Sequence, residues 1–229
     1  MTNQPKVSVI IVAAGESRRM NGVDKIFAGL GGKPVLARTI SAFEGCGAVV
    51  QIVVVAAEAN VKRCKQMVNE EGWTKVTDVC AGGARRQDSV KTGLDKIEKC
   101  DLVIIHDGAR PLVSGELIAR GVSEAGETGA AVPAVPVSDT IKVAGDDLIV
   151  SETPPRRNLW AVQTPQVFLY DIISRAYRQP ADEVTDDSTL VERLGYKVKL
   201  YMGSYDNIKI TTAQDLALAG VLLKKRQEK

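Results

Sequence analysis

Three basic residues follow the first apolar segment of the chain closely enough to bind a phosphorylated ligand. Residues 7–14 form an apolar run that is too short to cross a membrane and lacks the alternation of a half-exposed strand, so they predict a β-strand covered on both faces. Gly15 allows a sharp turn directly after this run. The segment continues with Arg18, Arg19 and Lys25. Backbone amides and cations at a strand end suit a polyphosphate, although solvated surface cations would give the same pattern.

Spacing argues against two common nucleotide-binding loops. A Walker A loop has Lys-Ser or Lys-Thr directly after its second glycine, and the segment from Gly15 to Gly22 has neither. The cluster of Gly29, Gly31 and Gly32 lacks the third glycine of a dinucleotide fingerprint and does not follow a predicted strand. We therefore interpret this cluster as a turn, and a dehydrogenase is not indicated.

A carboxylate follows another predicted strand, residues 102–106. Asp107 stands directly after this strand, where it could hold Mg²⁺ against phosphate oxygens. Alternatively, it could cap the next helix or pair with Arg110. His106 is the only histidine of the chain and has no second imidazole with which to share a metal. We expect it to be a buried, hydrogen-bonded histidine at the strand end.

These groups depend on a fold that brings strand ends together. Short apolar runs alternate with amphipathic segments, which predicts an α/β fold with a doubly wound, mostly parallel sheet. The predicted strands are residues 7–14, 49–57, 77–80, 102–106, 130–137, 197–202 and 207–210. The predicted helices are residues 34–44, 60–71, 86–98, 115–126, 167–178, 188–194 and 212–226. A capping box of Thr211 and Gln214 is expected at the start of the last helix. Such sheets bind ligands beyond the carboxyl ends of their strands.

One segment interrupts the alternation. Residues 139–143 and 148–153 have β patterns and are joined by a short polar turn, which predicts a hairpin arm over about residues 138–157. Because a two-stranded ribbon is marginal in water, the arm must pack on its own domain or on another subunit. A twofold homodimer is the sharper of these two possibilities.

Composition limits the class of protein. The chain has 229 residues, 45% hydrophobic and 25% charged, which predicts a single domain over residues 1–229. The formal net charge of +2 and the 4% of aromatic residues disfavour a protein that binds nucleic acid mainly through charge and stacking. Any basic site must therefore be local.

The cysteines and the lack of long apolar runs indicate in which cellular compartment the protein is expected. Cys46, Cys64, Cys80 and Cys100 form no CxxC pair, which disfavours a zinc or redox site and suggests reduced thiols. No run of about 18 apolar residues occurs, and a strand is predicted within seven residues of the start. We expect a soluble cytoplasmic protein without a membrane segment.

Further polar segments follow other predicted strands, and each by itself could be ordinary surface or connection. Residues 82–89 read GGARRQDS and open a helix, where backbone amides could meet a base or a ribose. Arg156 and Arg157 follow the predicted arm. Hydroxyls, carboxylates and Lys209 lie in segments 163–166, 185–188 and 206–210.

Taken together, these motifs resemble one family. The segments are AAGESRRM, DK, GGARRQDSV, HDGARP, SDTIK, QTPQVF, TDDS and DNIKIT, in this order over essentially the whole chain. They resemble those of the 2-C-methyl-D-erythritol 4-phosphate cytidylyltransferases. The resemblance implies a homodimeric nucleotidyltransferase of nonmevalonate isoprenoid biosynthesis. Such an enzyme joins CTP and methylerythritol phosphate and releases pyrophosphate.

The resemblance also implies roles for individual residues. The strand-end residues Ala13, Ala14 and Gly15 would lie along the ribose and phosphates, and Arg19 and Lys25 would stabilise the transition state. Gly83 and Ser89 would contact cytosine. Asp107 would meet Mg²⁺ and the sugar, with Arg110 in the same turn.

For methylerythritol phosphate, the resemblance implies that Thr140 and Arg156 come from the partner subunit's arm, while Thr164, Thr185 and Lys209 act within the chain. Arg156 rather than Arg157 is given this role because of its spacing along the sequence from Leu159 and Trp160.

Two alternative functions stay open. One is a ribitol-5-phosphate cytidylyltransferase, and the other is a noncatalytic nucleotide-binding module on the same fold.

Overall fold

The computed structural model describes residues 4–15, 24–179 and 182–228. The strands are β1 (Val7–Ala13), β2 (Gly29–Leu30), β3 (Lys33–Pro34), β4 (Val49–Ala56), β5 (Val76–Ala81), β6 (Leu102–Asp107), β7 (Ala130–Pro136), β8 (Val143–Ala144), β9 (Val150–Glu152), β10 (Trp160–Val162), β11 (Gln166–Leu169) and β12 (Lys199–Met202). The α-helices are α1 (Val35–Glu44), α2 (Val61–Glu71), α3 (Arg86–Leu94), α4 (Gly115–Thr128), α5 (Tyr170–Arg178), α6 (Asp187–Arg193) and α7 (Ala213–Gln227). Short 3₁₀ turns cover Lys25–Phe27, Glu58–Asn60 and Arg156–Asn158.

The eight-stranded central sheet confirms the predicted doubly wound architecture. Its order is β10-β7-β11-β6-β1-β4-β5, with β12 beside β7. Strand β1 runs parallel to both β4 and β6, so the chain winds outward in two directions from β1. This is the switch point at which such sheets leave a crevice beyond their carboxyl ends. Strands β10 and β11 are antiparallel to their neighbours.

The two faces of the sheet pack against separate layers of helices. On β1, Val9 and Ile11 point to one layer and Ile10 to the other, and none of the three is exposed. Helices α1, α2 and α4 cover the first face, and α3, α5 and α6 cover the second. The uninterrupted apolar run at the start of the chain therefore reflects a strand buried on both sides.

Three predicted elements differ from the structure, and the first of them is the helix over 86–98, which ends at Leu94. Residues 207–210 form no strand. Asn207 is fully buried and its Nδ2 donates to the carbonyl of Thr164 at 2.8 Å, while the N–H of Ile210 donates to the carbonyl of Ala109 at 2.8 Å. These isolated bonds anchor the segment without a strand ladder. The helix predicted over 167–178 begins only at Tyr170. Before it, Val167 and Phe168 are fully buried in β11, between β6 and β7.

The cap of the last helix lies one residue beyond the predicted position. Oγ1 of Thr212 accepts a hydrogen bond from the backbone N–H of Asp215 at 3.2 Å, and Oδ2 of Asp215 accepts one from the N–H of Thr212 at 2.8 Å. Thr211 also donates its N–H and hydroxyl to that oxygen, at 2.9 and 2.6 Å. A carboxylate can accept all of these bonds, which explains why Asp215 rather than Gln214 closes the box.

The arm is a separate ribbon with apolar side chains in solvent. Strands β8 and β9 pair antiparallel, as predicted, but are shorter than the predicted strands. Leu148 and Ile149 are 84% and 68% exposed. In the part of the chain that the structure describes, no helix has the length and hydropathy needed to span a membrane. All four cysteines are free thiols.

Candidate active site

A cavity of about 500 Å³ opens beyond the carboxyl end of β1. It lies at the switch point of the sheet. Its lining includes eight of the residues singled out from the sequence: Ala13, Ala14, Gly15, Lys25, Gly83, Ser89, Asp107 and Lys209. The remaining lining residues are Val12, Ile26, Ala84, Arg85, Arg86 and Ala109. The structure thus brings together residues from five separate segments of the chain.

Close packing of two loops shapes one wall of this cavity. Gly82 lies between β5 and α3, and a Cβ built on it would stand 2.5 Å from both the Cβ of Ala14 and the Oγ of Ser89. Only glycine fits there without a shift. The absence of a side chain lets the start of α3 approach the end of β1, so that Ser89 and Ala14 face the same space.

Lys25 stands on a turn whose backbone is fixed from two sides. Oδ1 of Asp24 accepts a hydrogen bond from the N–H of Ile26 at 3.3 Å, and Oδ2 of the same residue accepts one from Nδ2 of Asn60 at 2.6 Å. The Ile26 side chain is buried in the core. The guanidinium of Arg63 lies 3.8 Å from the ring centroid of Phe27. The sequence did not indicate that Asn60 would bond to Asp24, because the two residues lie 36 positions apart in the chain.

Asp107 is surrounded by cations. Its oxygens lie 2.9 Å from Nζ of Lys209, 3.5 Å from Nε of Arg86 and 3.6 Å from Nε of Arg110. Burial by itself would raise the pKa of the Asp107 carboxyl, but the three cations together hold this pKa well below its ordinary value. Asp107 is therefore ionised at neutral pH. Its pairing with Arg110, one of the alternatives left open by the sequence, is present.

His106 has the structural role predicted for it. The ring is fully buried, with Nδ1 3.1 Å from Oγ1 of Thr164 and Nε2 3.2 Å from the carbonyl oxygen of Arg110. Because a carbonyl oxygen can only accept, Nε2 carries the proton of the neutral ring, and Nδ1 accepts a hydrogen bond from the hydroxyl of Thr164. Oγ1 of Thr164 in turn accepts a hydrogen bond from the backbone N–H of Asp107 at 3.1 Å. Burial lowers the pKa of His106 to about 4. A neutral imidazole thus holds Thr164 and the turn after β6.

A second cavity, of about 490 Å³, shares one wall with the first. It is lined by Arg110, Thr164 and Thr185 from the predicted site, and by Gln163, Gln166 and residues of α6. The residues that line both cavities are Arg86, Asp107 and Lys209. A group bound in one cavity can therefore meet a group bound in the other at this cluster.

The remaining predicted residues lie elsewhere. Arg156 lines a third, more open cavity together with Arg157, and its Nη1 donates to the carbonyl of Ser138 at 2.7 Å. Thr140 is exposed on the arm and lines none of these three cavities. Neither residue is part of the lining of the first cavity, which contains Lys25. Arg19 and its neighbour Arg18 fall outside the described residues.

Asp107 is the acidic residue in the lining of the first cavity. Among the described residues, no group of three or more His, Cys, Asp or Glu side chains could hold a metal ion. Magnesium commonly takes only one or two protein carboxylates and completes its shell with water and substrate phosphates. The donor set therefore fits Mg²⁺ only as an ion shared with a phosphorylated ligand.

Three residues beside this site were given no role of their own by the sequence: Arg86 and Asp187, which stand in the motifs GGARRQDSV and TDDS, and Tyr177, which stands in none. Arg86, the first residue of α3, contacts both Asp107 and Asp187. The carboxylate of Asp187 accepts a hydrogen bond from the hydroxyl of Tyr177. Its neighbour Arg85 instead pairs with Asp88 at the surface, at 2.7 Å. Nothing in the sequence distinguishes the two adjacent arginines.

Comparison with known proteins assigns the chain to one family. A family model described as 2-C-methyl-D-erythritol 4-phosphate cytidylyltransferase matches residues 7–225. The protein of that name from Dehalococcoides mccartyi is 50% identical over 220 residues, covering 96% of this chain and 97% of its own length. Its namesake from Alkaliphilus oremlandii is 45% identical over 234 residues, covering 100% and 99%.

Solved structures share the architecture as well. The 4-diphosphocytidyl-2C-methyl-D-erythritol synthase from Anaerococcus prevotii superposes with a TM-score of 0.84 at 30% identity, over 97% of this chain and 100% of that chain. The 2-C-methyl-D-erythritol 4-phosphate cytidylyltransferase from Thermus thermophilus gives a TM-score of 0.77 at 36% identity, over 96% and 99%. The chain belongs to the 2-C-methyl-D-erythritol 4-phosphate cytidylyltransferase family.

Proposed function

We propose that this protein transfers the cytidylyl group of CTP to 2-C-methyl-D-erythritol 4-phosphate, with release of pyrophosphate, in nonmevalonate isoprenoid biosynthesis. The observation that carries this proposal is the pair of cavities that meet at Asp107, Arg86 and Lys209 in a member of this family. Two anionic substrates must meet in such a reaction. A wall rich in cations between two cavities supplies the place for them.

In this proposal CTP occupies the first cavity. Ala13, Ala14 and Gly15 offer strand-end backbone to the ribose and phosphates, and Gly83 and Ser89 face the cytosine. The polyol phosphate occupies the second cavity, near Arg110, Thr164 and Thr185. Lys209 reaches both.

The chemistry requires positioning and charge neutralisation. A phosphate oxygen of methylerythritol phosphate attacks the α-phosphorus of CTP, and the bond to the pyrophosphate oxygen breaks. The attacking phosphate is largely ionised at neutral pH, since its second pKa is about 6, so no general base is needed. Lys25 and Arg19 act as the cations that stabilise the charge on the transferring phosphoryl group. His106 takes no part, because both of its ring nitrogens are bonded within the fold.

Asp107 would be the protein ligand of Mg²⁺ in this scheme. When bound, the ion would neutralise charge on the triphosphate. Asp107 is suited to this role because its carboxyl is kept ionised and stands at the junction of the two cavities.

We further propose that the molecule acts as a single-domain homodimer in the cytoplasm. The arm presents exposed Leu148 and Ile149, which a second subunit would cover. Arg156 and Thr140 do not line the two proposed substrate cavities of their own chain, which supports their supply to the partner's site.

The test is pyrophosphate release by the purified protein with CTP and Mg²⁺. We expect release only when methylerythritol phosphate is present. Turnover with ribitol 5-phosphate alone would contradict the proposed substrate. Binding of CTP by calorimetry without any pyrophosphate release would instead indicate a noncatalytic nucleotide-binding module.

A further inference from the structure

Arg86 occupies the junction of the two substrate cavities. It lines both of them, as do Asp107 and Lys209. Its side chain is 26% exposed, so part of it faces the cavities while most is buried. The proposed reaction gives roles to Asp107 and Lys209 but none to Arg86.

The guanidinium of Arg86 joins two carboxylates of different kinds. Its Nε lies 3.5 Å from Oδ1 of Asp107 at the junction, and its Nη2 lies 2.8 Å from Oδ2 of Asp187 behind it. Burial opposes the charged form, but Asp187 and Asp107 together raise the pKa of Arg86 above its ordinary value. Arg86 therefore stays charged, and two of its nitrogens each face a carboxylate, Asp107 on one side and Asp187 on the other.

Asp187 is buried and accepts a hydrogen bond from a second side chain. Its side chain has no solvent exposure, and its Oδ1 accepts a hydrogen bond from the hydroxyl of Tyr177 at 2.5 Å. Burial and the neighbouring Asp187 carboxylate raise the pKa of Tyr177, so the hydroxyl keeps its proton and stays a donor. The three residues come from three helices, namely Arg86 from α3, Tyr177 from α5 and Asp187 from α6.

A buried ion pair of this kind is a poor way to stabilise a fold. Removing Asp187 from water costs much of what its attraction to Arg86 returns, and well-packed apolar residues often do as well. What such a pair provides is a fixed geometry. Here Arg86, which is paired with Asp187, also contacts the carboxylate of Asp107 between the two cavities.

We propose that Tyr177 and Asp187 position Arg86, and that Arg86 fixes the orientation of Asp107 at the junction of the two substrate cavities. Tyr177, Asp187 and Arg86 are thus positioning residues, and this inference rests on the proposed function. Loss of the geometry lowers turnover even when the fold is intact. Loss of one charge alone would lower turnover and stability together, because it leaves a buried partner unpaired.

The decisive experiment removes both charges together. The double variant Arg86→Gln/Asp187→Asn leaves no unpaired charge, so we expect its Tm to lie closer to that of the wild type than the Tm of either single variant. Its kcat should nevertheless stay at least about tenfold below the wild-type value, with a smaller change in KM for CTP. The matched control, Arg120→Gln/Glu116→Gln, removes an exposed ion pair on α4 and should leave kcat unchanged. A double variant with wild-type kcat would overturn the inference.

Two milder variants test the same inference if the double variant folds poorly. Tyr177→Phe deletes only the hydroxyl and should lower kcat several-fold at temperatures well below its Tm. Arg86→Lys keeps the charge but not the fork, so it should not rescue turnover. Wild-type kcat in both would overturn the inference. Failure of the wild type itself to release pyrophosphate would instead refute the proposed function, so the two failures are distinguishable.

Discussion

Lys25 is a half-buried cation on a rigid turn that lines the cavity proposed for CTP. A charge fixed in advance stabilises a transition state without reorganisation at the moment of reaction. Lys25→Ala should therefore lower kcat at least about a hundredfold, with only a modest loss of CTP binding. Steady-state kinetics and calorimetric titration with CTP would measure the two effects. Lys62→Ala, which removes an exposed lysine of α2, is the control, and an unchanged kcat for Lys25→Ala would remove Lys25 from the mechanism.

His106 makes the stability of the protein depend on pH. Its pKa is about 4 in the folded protein and about 6.5 in an unfolded chain, so the unfolded state binds more protons between these values. The free energy of unfolding should therefore fall as the pH drops from 6.5 towards 4, by up to about 3 kcal/mol. The effect disappears above about pH 7.5, where the histidine is deprotonated in both states.

Because His106 is the only histidine, its ring resonances can be followed by NMR without assignment. We expect them to show no protonation until the pH approaches 4. Urea unfolding between pH 7 and 5 would give the matching change in stability. A midpoint near 6.5 in the folded protein would show that the ring is neither buried nor bonded as described.

At the scale of elements, the contact between the end of β1 and the start of α3 shapes the first cavity. Gly82→Ala would place a methyl group 2.5 Å from Ala14 Cβ and Ser89 Oγ, so the two elements must move apart. We expect a loss of roughly 1–3 kcal/mol in stability and a several-fold rise in KM for CTP. Gly126→Ala is the control, because nothing lies within 4 Å of its added Cβ in α4. If KM and Tm are both unchanged in Gly82→Ala, this contact does not shape the site.

The elements differ in how far the sequence predicts them. Strand β1 was predicted to within a residue, because burial on both faces produces an uninterrupted apolar run. Strand β11 was assigned to a helix, because its few residues run directly into α5 and a short apolar segment has no period of its own. The Thr211 cap was wrong by one residue, since two threonines and a nearby acid or amide allow either register.

The residues of the candidate site also differ in how far the sequence predicts them. Asp107 and Lys25 follow apolar or glycine-rich segments, so their place at a strand end or loop is visible in the sequence. The partners that hold them, Asn60 for the Lys25 turn and Arg86 for Asp107, become neighbours only through the winding of the sheet. No local pattern records such contacts.

At the scale of the whole molecule, the exposed apolar arm predicts the assembly. Leu148→Asp/Ile149→Asp should convert a dimer into a monomer in sedimentation experiments, because it puts charges on the surface that the partner would cover. Val221→Asp is the control, since Val221 is 64% exposed on α7, outside the arm. A dimer that persists in the arm variant would assign the interface to another surface.

The proposed function depends on which acceptor receives the cytidylyl group. The most direct measurement supplies CTP and Mg²⁺ with equal concentrations of methylerythritol phosphate and ribitol 5-phosphate in one vessel, and identifies the products by mass spectrometry. We predict that 4-diphosphocytidyl-2-C-methyl-D-erythritol forms in large excess, with one pyrophosphate released per product. A preponderance of the ribitol product would contradict the assignment of the second cavity and of the reaction.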